Sequence, residues 1–244
     1  GPSVHLDHFF ATQSRRTFTY CKPLLMHKDR PPEELSRLDS KNWTPTPSEV
    51  EERICASLET LADRVDVIIV LDQVDASGTG VVTPRVLETV NQIAMARPDL
   101  WMIADSRQGL AGWPALIYKM NARELGSMLQ QSPPEDPREA GVMAGQLART
   151  TGRHVFVTLA EKGIVGASPD GEVEAAPSLP LRGPIDIVGA GDSVTANLAA
   201  ALAAGSTLRE SLQLANTAAS LVIHQLGDTG TASVNQMHDL LFGP

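Results

Sequence analysis

The sequence predicts an α/β domain: an open, mostly parallel sheet with helices on both faces, plus a small β flap near the N-terminus. Three observations carry that prediction. Short apolar runs recur at Asp66-Val-Ile-Ile-Val-Leu71, Leu100-Trp-Met-Ile-Ala104 and His154-Val-Phe-Val-Thr158, each the length of a strand buried on both faces. Helical stretches with start signals stand between them, so strand and helix alternate from about residue 50 to residue 160. Before that the pattern differs. Thr17-Phe-Thr-Tyr-Cys21 alternates with period two, and Pro31, Pro32, Pro45 and Pro47 punctuate a connection read as loop. Residues 1–45 are therefore read as a partial β lid with its connection, and residues 46–244 as the α/β core.

Within the core, a helix is expected from Thr46-Pro-Ser-Glu-Val-Glu-Glu52, with Ser48 as its cap and acids in the first turn. A second is expected from Thr83-Pro84 to about Ala96 and a third from about Pro137 to Thr150. Ile164–Ala167 reads as a hairpin partner of the strand before it, and Asp170-Gly171 as a turn. Three helices close the chain, over about 192–204, 207–223 and 234–241. In such sheets ligands sit at the carboxyl ends of the strands. The polar segments expected to gather there are Asp72 onward, Asp105-Ser-Arg107, Asn121-Ala-Arg-Glu124 and Thr158–Gly163.

Composition narrows the function classes. A net charge of −9 argues against nucleic acid or an anionic membrane surface as the main partner. Two distant cysteines, Cys21 and Cys55, and no apolar run long enough to span a bilayer fit a reduced, cytoplasmic setting. The six histidines show no metal-binding spacing. Trp43, Trp101 and Trp113 are read as packing residues.

The stretch with the most chemistry is Leu181–Leu198. Turn residues Gly183 and Pro184 lead to Gly189-Ala-Gly191-Asp192, and a long Ala- and Leu-rich helix follows. A small-residue loop feeding a helix offers unpaired N–H groups and the positive end of a dipole to an anion. Asp192 at that mouth can take a proton from a bound hydroxyl. The loop is not a dinucleotide fingerprint, because Val194 stands where the third glycine belongs, and it lacks the Lys of a Walker A loop. Taken alone, the four residues read equally well as a capped helix start.

The flanks decide more. Asp186-Ile-Val-Gly-Ala-Gly-Asp192 resembles the C-terminal signature of ribokinase-like (PfkB) sugar kinases, D-[ST]-x-G-A-G-D. Asn121-Ala-Arg-Glu124 resembles the family's N-x-x-E motif and Thr158–Gly163 its T-x-G-x-x-G nucleotide loop. Asn216-Thr-Ala-Ala219 resembles its late N-A-A-A helix, and Gly227–Ala232 its closing glycine loop. Arg15–Lys22 resembles the lid-proximal segment of members related to heptose-phosphate kinases, although a solvated strand edge explains those charges as well. The resemblance runs from about residue 10 to the end.

The resemblance implies a ribokinase-like fold and an ATP-dependent carbohydrate kinase that phosphorylates a hydroxyl of a sugar or sugar phosphate. It makes Asp192 the general base and the Gly189, Ala190 and Gly191 amides an anion hole. Asn121 and Glu124 would hold Mg²⁺ through water, and Thr158, Glu161, Gly163 and Asn216 would line the nucleotide site. Asp186, Val188 and Gly227 match the family's monovalent-cation (K⁺) site. A homodimer through the β lid fits the same picture.

Departures are explicit. Ile187 replaces the usual Ser or Thr, Ala160 replaces the first glycine of the nucleotide loop, and Val194 stands where Phe is common. The family's first strand and sugar-gripping Gly-Gly/Asn segment have no counterpart, so the chain reads as lacking that N-terminal part. The alternative is accordingly a catalytically incompetent fragment, or a nucleotide- or sugar-phosphate-binding protein of the same fold. A Rossmann-type oxidoreductase is disfavoured by the missing fingerprint.

Overall fold

A computed structural model describes residues 4–30 and 32–243. Gly1-Pro2-Ser3, Pro31 and Pro244 therefore lie outside the described residues. The core sheet has six strands, which follow one another across the sheet in their chain order. In chain order these are β5 (Val67–Asp72), β6 (Trp101–Ser106), β7 (Ile117–Asn121), β8 (Val155–Thr158), β9 (Ile164–Ala167) and β10 (Val173–Ala176). The first four run parallel, while β9 and β10 fold back as an antiparallel meander. Helix α1 (Ser48–Ala62) precedes β5, α2 (Pro84–Ala96) connects β5 to β6, a helix-free segment connects β6 to β7, and α3 (Ala122–Leu129) and α4 (Pro137–Thr151) connect β7 to β8. They are followed by α5 (Ala190–Ala203), α6 (Leu208–Val222) and α7 (Val234–Phe242).

Two apolar cores make this a three-layer sandwich. On one face Cys55, Val86, Val90 and Ile93 of α1 and α2, Leu125 of α3, and Met143 and Leu147 of α4 meet Met102, Tyr118 and Val157 of the sheet. On the other, Val194, Leu198 and Leu202 of α5 with Leu208 and Leu212 of α6 cover Ile103, Ile117 and Phe156. Strand residues alternate between the faces, which is why both kinds of neighbour in one run are apolar. Sequence signals account for most boundaries. Thr83 caps α2 through the Val86 N–H with Pro84 in its first turn, and Asp136 caps α4 with Pro137 likewise.

Several expectations need correction. Ser48 is the first residue inside α1, and Pro47 holds the cap position without a side-chain hydrogen bond. The proline-punctuated connection contains two strands. Here β1 (Thr19–Cys21) pairs antiparallel with β4 (Leu38–Ser40), and β2 (Leu24–Leu25) with β3 (Glu33–Glu34). These pieces are too short and exposed for periodicity to mark them. The Asp170-Gly171 turn leads into a further strand, β10, which the sequence pattern does not mark. Trp43 is 75% exposed and packs in no core, whereas Trp113 lies against the α1/α2 core and Trp101 against the α5/α6 core.

The flap is held at the carboxyl end of β5 largely by polar contacts. Tyr20 Oη donates to the Gln73 carbonyl at 3.0 Å, and Lys41 pairs with Asp75. Arg15 donates to the carbonyls of Thr44, Pro45 and Thr79. Arg37, Lys41 and Arg107 stand about the Tyr20 ring, 4.9, 5.7 and 5.1 Å from its centroid. Beyond β5 the sheet has no further strand among the described residues, and Ile69 on that edge is 40% exposed.

Candidate active site

The N-terminus of α5 lies over the ends of β6 and β7, where Thr195 bonds Asp105 and Gly191 approaches Lys119, and β8 ends beside β7. Asn121, last in β7, is the register partner of Thr158, last in β8, and Thr158 Oγ1 lies 3.4 Å from the Met120 carbonyl it donates to. The chain turns from Asn121 directly into α3. There Asn121 Oδ1 accepts the Glu124 N–H at 3.0 Å and Glu124 Oε2 accepts the Asn121 N–H at 2.7 Å. This reciprocal capping box is the structural role those two residue types predict at that spacing. It holds both side chains at the strand end and leaves Glu124 Oε1 and the Asn121 amide nitrogen for other partners.

Helix α5 begins at Gly189, which has φ 80° and no side-chain cap. A Cβ there would run into the Thr229 carbonyl, so only glycine brings the two loops this close. Asp186 fastens the same junction. Its Oδ1 accepts the Val188 N–H at 3.0 Å, its Oδ2 the Gly227 N–H at 3.3 Å, and its own N–H donates to the Ile223 carbonyl at 2.8 Å. Of the expected anion-hole amides, Ala190 donates to the Ile187 carbonyl at 3.2 Å. Asp192 is in the first turn of α5 and exposed. Its carboxylate makes no hydrogen bond or ion pair with the described residues, unlike the carboxylates of Asp186 and Glu124.

The nucleotide-loop residues converge on a second junction. Strand β8 ends in a single 3₁₀ turn, Ala160–Lys162, and Gly163 then enters β9 with φ 93° against the Ala176 carbonyl. Asn216 of α6 donates to the Pro177 carbonyl at 2.6 Å, and Ser178 donates to the Glu161 carbonyl. Thus Glu161, Gly163 and Asn216 surround one backbone segment, 176–178. Ala160 has φ 51°, so the left-handed position usually given to glycine is made here by alanine.

Asp72, expected at a strand end, and Lys119, not singled out from sequence, are buried polar groups toward the carboxyl ends of the sheet. Asp72, last in β5, is buried, which pushes its carboxyl up from the ordinary range, while the Val74 N–H and Ser106 hydroxyl partly offset that. Lys119 of β7 is buried and pairs with Asp105 at 2.8 Å. A lone lysine inside the apolar run Leu116–Met120 was the available signal. The expected cation site at Asp186, Val188 and Gly227 is one connected loop pair, with the Asp186 carboxylate already spent on backbone N–H groups.

Comparison with known proteins follows this geometry. Residues 81–235 match the model of the pfkB family carbohydrate kinases. A bifunctional protein HldE from Hyphomonas neptunium is 31% identical over 204 residues, spanning 83% of this chain and 40% of that protein. Its counterpart from Paramagnetospirillum magneticum is 28% identical over 80% of this chain and 39% of its own length. The chain thus spans about two fifths of these relatives. Among solved structures, Arabidopsis thaliana ribokinase with ribose and ATP superposes with a TM-score of 0.63 at 18% identity, covering 90% of this chain and 68% of that one. Escherichia coli phosphofructokinase-2 with potassium gives 0.57 at 19%, covering 76% and 60%. These likenesses bear out the ribokinase-like architecture, and the family match covers more than half of the sequence. The chain belongs to the pfkB family of carbohydrate kinases.

Proposed function

We propose that this chain carries the phosphoryl-transfer half of an ATP-dependent kinase acting on a hydroxyl of a sugar or sugar phosphate. The observation that carries the reading is the free carboxylate of Asp192 at an uncapped helix N-terminus, in a turn that lies over Lys119 of β7 and Asp105 of β6. Asp192 takes the proton of the acceptor hydroxyl as that oxygen attacks the γ-phosphorus. The bond to the β–γ bridging oxygen breaks and ADP departs. The transferring group spreads its charge over three oxygens, so donors already aimed at it matter more than covalent help. The α5 dipole and the amides about Gly189–Gly191 are those donors. With Ala190 engaged by Ile187, Gly189 and Gly191 are the main candidates among the three.

The nucleotide is read into the junction formed by Thr158, Glu161, Gly163 and Asn216. Membership in this family and the ATP-bound plant ribokinase among its structural neighbours support that assignment. Mg²⁺ fits the strand-end residues in a limited way. No group of three or more His, Cys, Asp or Glu gathers for a metal among the described residues, but Mg²⁺ characteristically keeps its waters and binds through substrate phosphates with one or two carboxylates. The unused Glu124 oxygen and the Asn121 amide suit such water-mediated holding, and the ion would neutralise phosphate charge. A K⁺ ion at the Asp186/Gly227 junction would be met by backbone carbonyls, Val188 among them. Exposed Leu24, Leu25, Met26 and Leu38 on the flap support the homodimer expected through it.

Asp192→Asn is the direct test. ATP affinity measured by calorimetry should persist, while phosphotransfer over a sugar and sugar-phosphate panel falls by about 10²–10⁴-fold. Full turnover in that variant sinks the base assignment. A wild-type chain that binds ATP but transfers to no acceptor favours the binding-protein reading.

A further inference from the structure

Lys119 is out of place by ordinary rules. Its side chain is 9% exposed and its partner Asp105 14% exposed, which makes this the most enclosed ion pair among the described residues, ahead of Lys41–Asp39 at 19% each. A buried pair gains little over well-packed apolar side chains, because desolvating two charges offsets their attraction. Stability alone therefore does not explain its presence. Its position adds to the anomaly. The ammonium lies beneath the first turn of α5, and a Cβ on Gly191 would sit 3.3 Å from Nζ. The N-terminus of a helix is the end where a cation is disfavoured by the backbone dipole. Thr195 Oγ1, itself buried, lies 3.1 Å from Asp105 Oδ2 and 3.1 Å from the Gly191 carbonyl, tying the pair to the same turn. The strand that carries Lys119 ends two residues later at Asn121.

A fixed cation here repels the bare helix but favours an anion held at its mouth, one residue from Asp192. We propose that Lys119 supplies the charge that retains and stabilises the terminal phosphate of the nucleotide, with Asp105 and Thr195 as positioning residues that hold its ammonium under Gly191. This rests on the phosphoryl-transfer reading of the α5 N-terminus. Asp105 occupies one of the three ammonium donors, and the remaining donors are those available to phosphate oxygens. Since Asp105 also screens the cation, removing its charge should strengthen the attraction for phosphate. Removing the lysine should weaken it.

That opposition of sign is the test, read by calorimetric titration of the 244-residue chain with ATP and AMP. Lys119→Met should lose about tenfold or more in ATP affinity, the worth of one charge-assisted hydrogen bond, with AMP affinity unchanged. Asp105→Asn should bind ATP as tightly as the parent or a few-fold more tightly, and Lys119→Arg should keep the parent ATP/AMP ratio. A merely structural latch predicts something else: Lys119→Met and Asp105→Asn weaken ATP and AMP together, in step with their melting points. That outcome overturns the proposal, as does an unchanged ATP/AMP ratio in Lys119→Met. If Lys119→Met does not fold, Asp105→Asn and Lys119→Arg decide it, and a loss of ATP affinity specific to Asp105→Asn overturns it. Failure of the parent chain to bind ATP refutes the kinase reading itself and is separate from all of these.

Discussion

The two junctions at the strand ends and the N-terminal flap are built on opposite principles. At Gly189 and Gly163 backbone meets backbone, Thr229 in one case and Ala176 in the other, with no room for a side chain. In the flap, strands of two or three residues are tied down by side chains: Arg15 on carbonyls, Lys41 on Asp39 and Asp75, and cations about Tyr20. Backbone contacts of the first kind fix loop positions to within a fraction of an ångström and tolerate no substitution. Contacts of the second kind are exposed, screened by salt and individually weak. Under the function proposed above, the difference divides the labour of the site: the part that would hold phosphate and base is rigid, while the flap can yield.

The sharpest way to break this contrast is at the glycines. Gly189→Ala forces a left-handed alanine into the Thr229 carbonyl and should cost on the order of 3 kcal/mol or more, lowering the melting midpoint by about 10 °C. Gly163→Ala should behave similarly. A change of only a degree or two in differential scanning calorimetry would show that the junctions relax and that the contrast is overstated. An intermediate effect of opposite sign is expected at Ala160→Gly. Relief of the left-handed alanine should exceed the added chain entropy by roughly 0.5–1 kcal/mol, raising the midpoint by about 2 °C. The smallest effect belongs to the flap. Lys41→Met should leave the core melting transition where it is, while raising the rate of limited proteolysis within residues 1–45. A lowered core transition would mean that flap and core unfold as one unit.

Legibility followed the same division. The buried runs of β5, β6 and β8 and the capped helices α2 and α4 are readable because long periodic segments and Pro-linked caps are local signals. The Gly189–Asp192 turn is readable as a helix mouth from its own residues. Its pairing with Gly227–Thr229 required the family resemblance, since a contact across some forty residues leaves no local trace. Strands β3 and β4 were unreadable for a simpler reason. Two or three exposed residues among prolines carry no period. The capping box at Asn121 and Glu124 shows a limit of another kind, because one sequence pattern serves both for a helix start and for the metal-holding role proposed for these side chains. Lys119 was legible only as an exception, a charge inside an apolar run whose partner, Asp105, lies on the neighbouring strand.

The open side of β5 has a practical consequence for handling this polypeptide. On the side away from β6, alternate residues of Val67–Leu71 present amides and carbonyls with no strand partner among the described residues, flanked by β-branched side chains and none of the prolines or lysines that blunt a sheet edge. Such an edge accepts another strand from whatever chain is at hand. Concentration therefore becomes a variable in every measurement on the isolated 244 residues. Light scattering that grows with concentration, and that recedes when Ile69 is replaced by lysine, would mark that edge as its source.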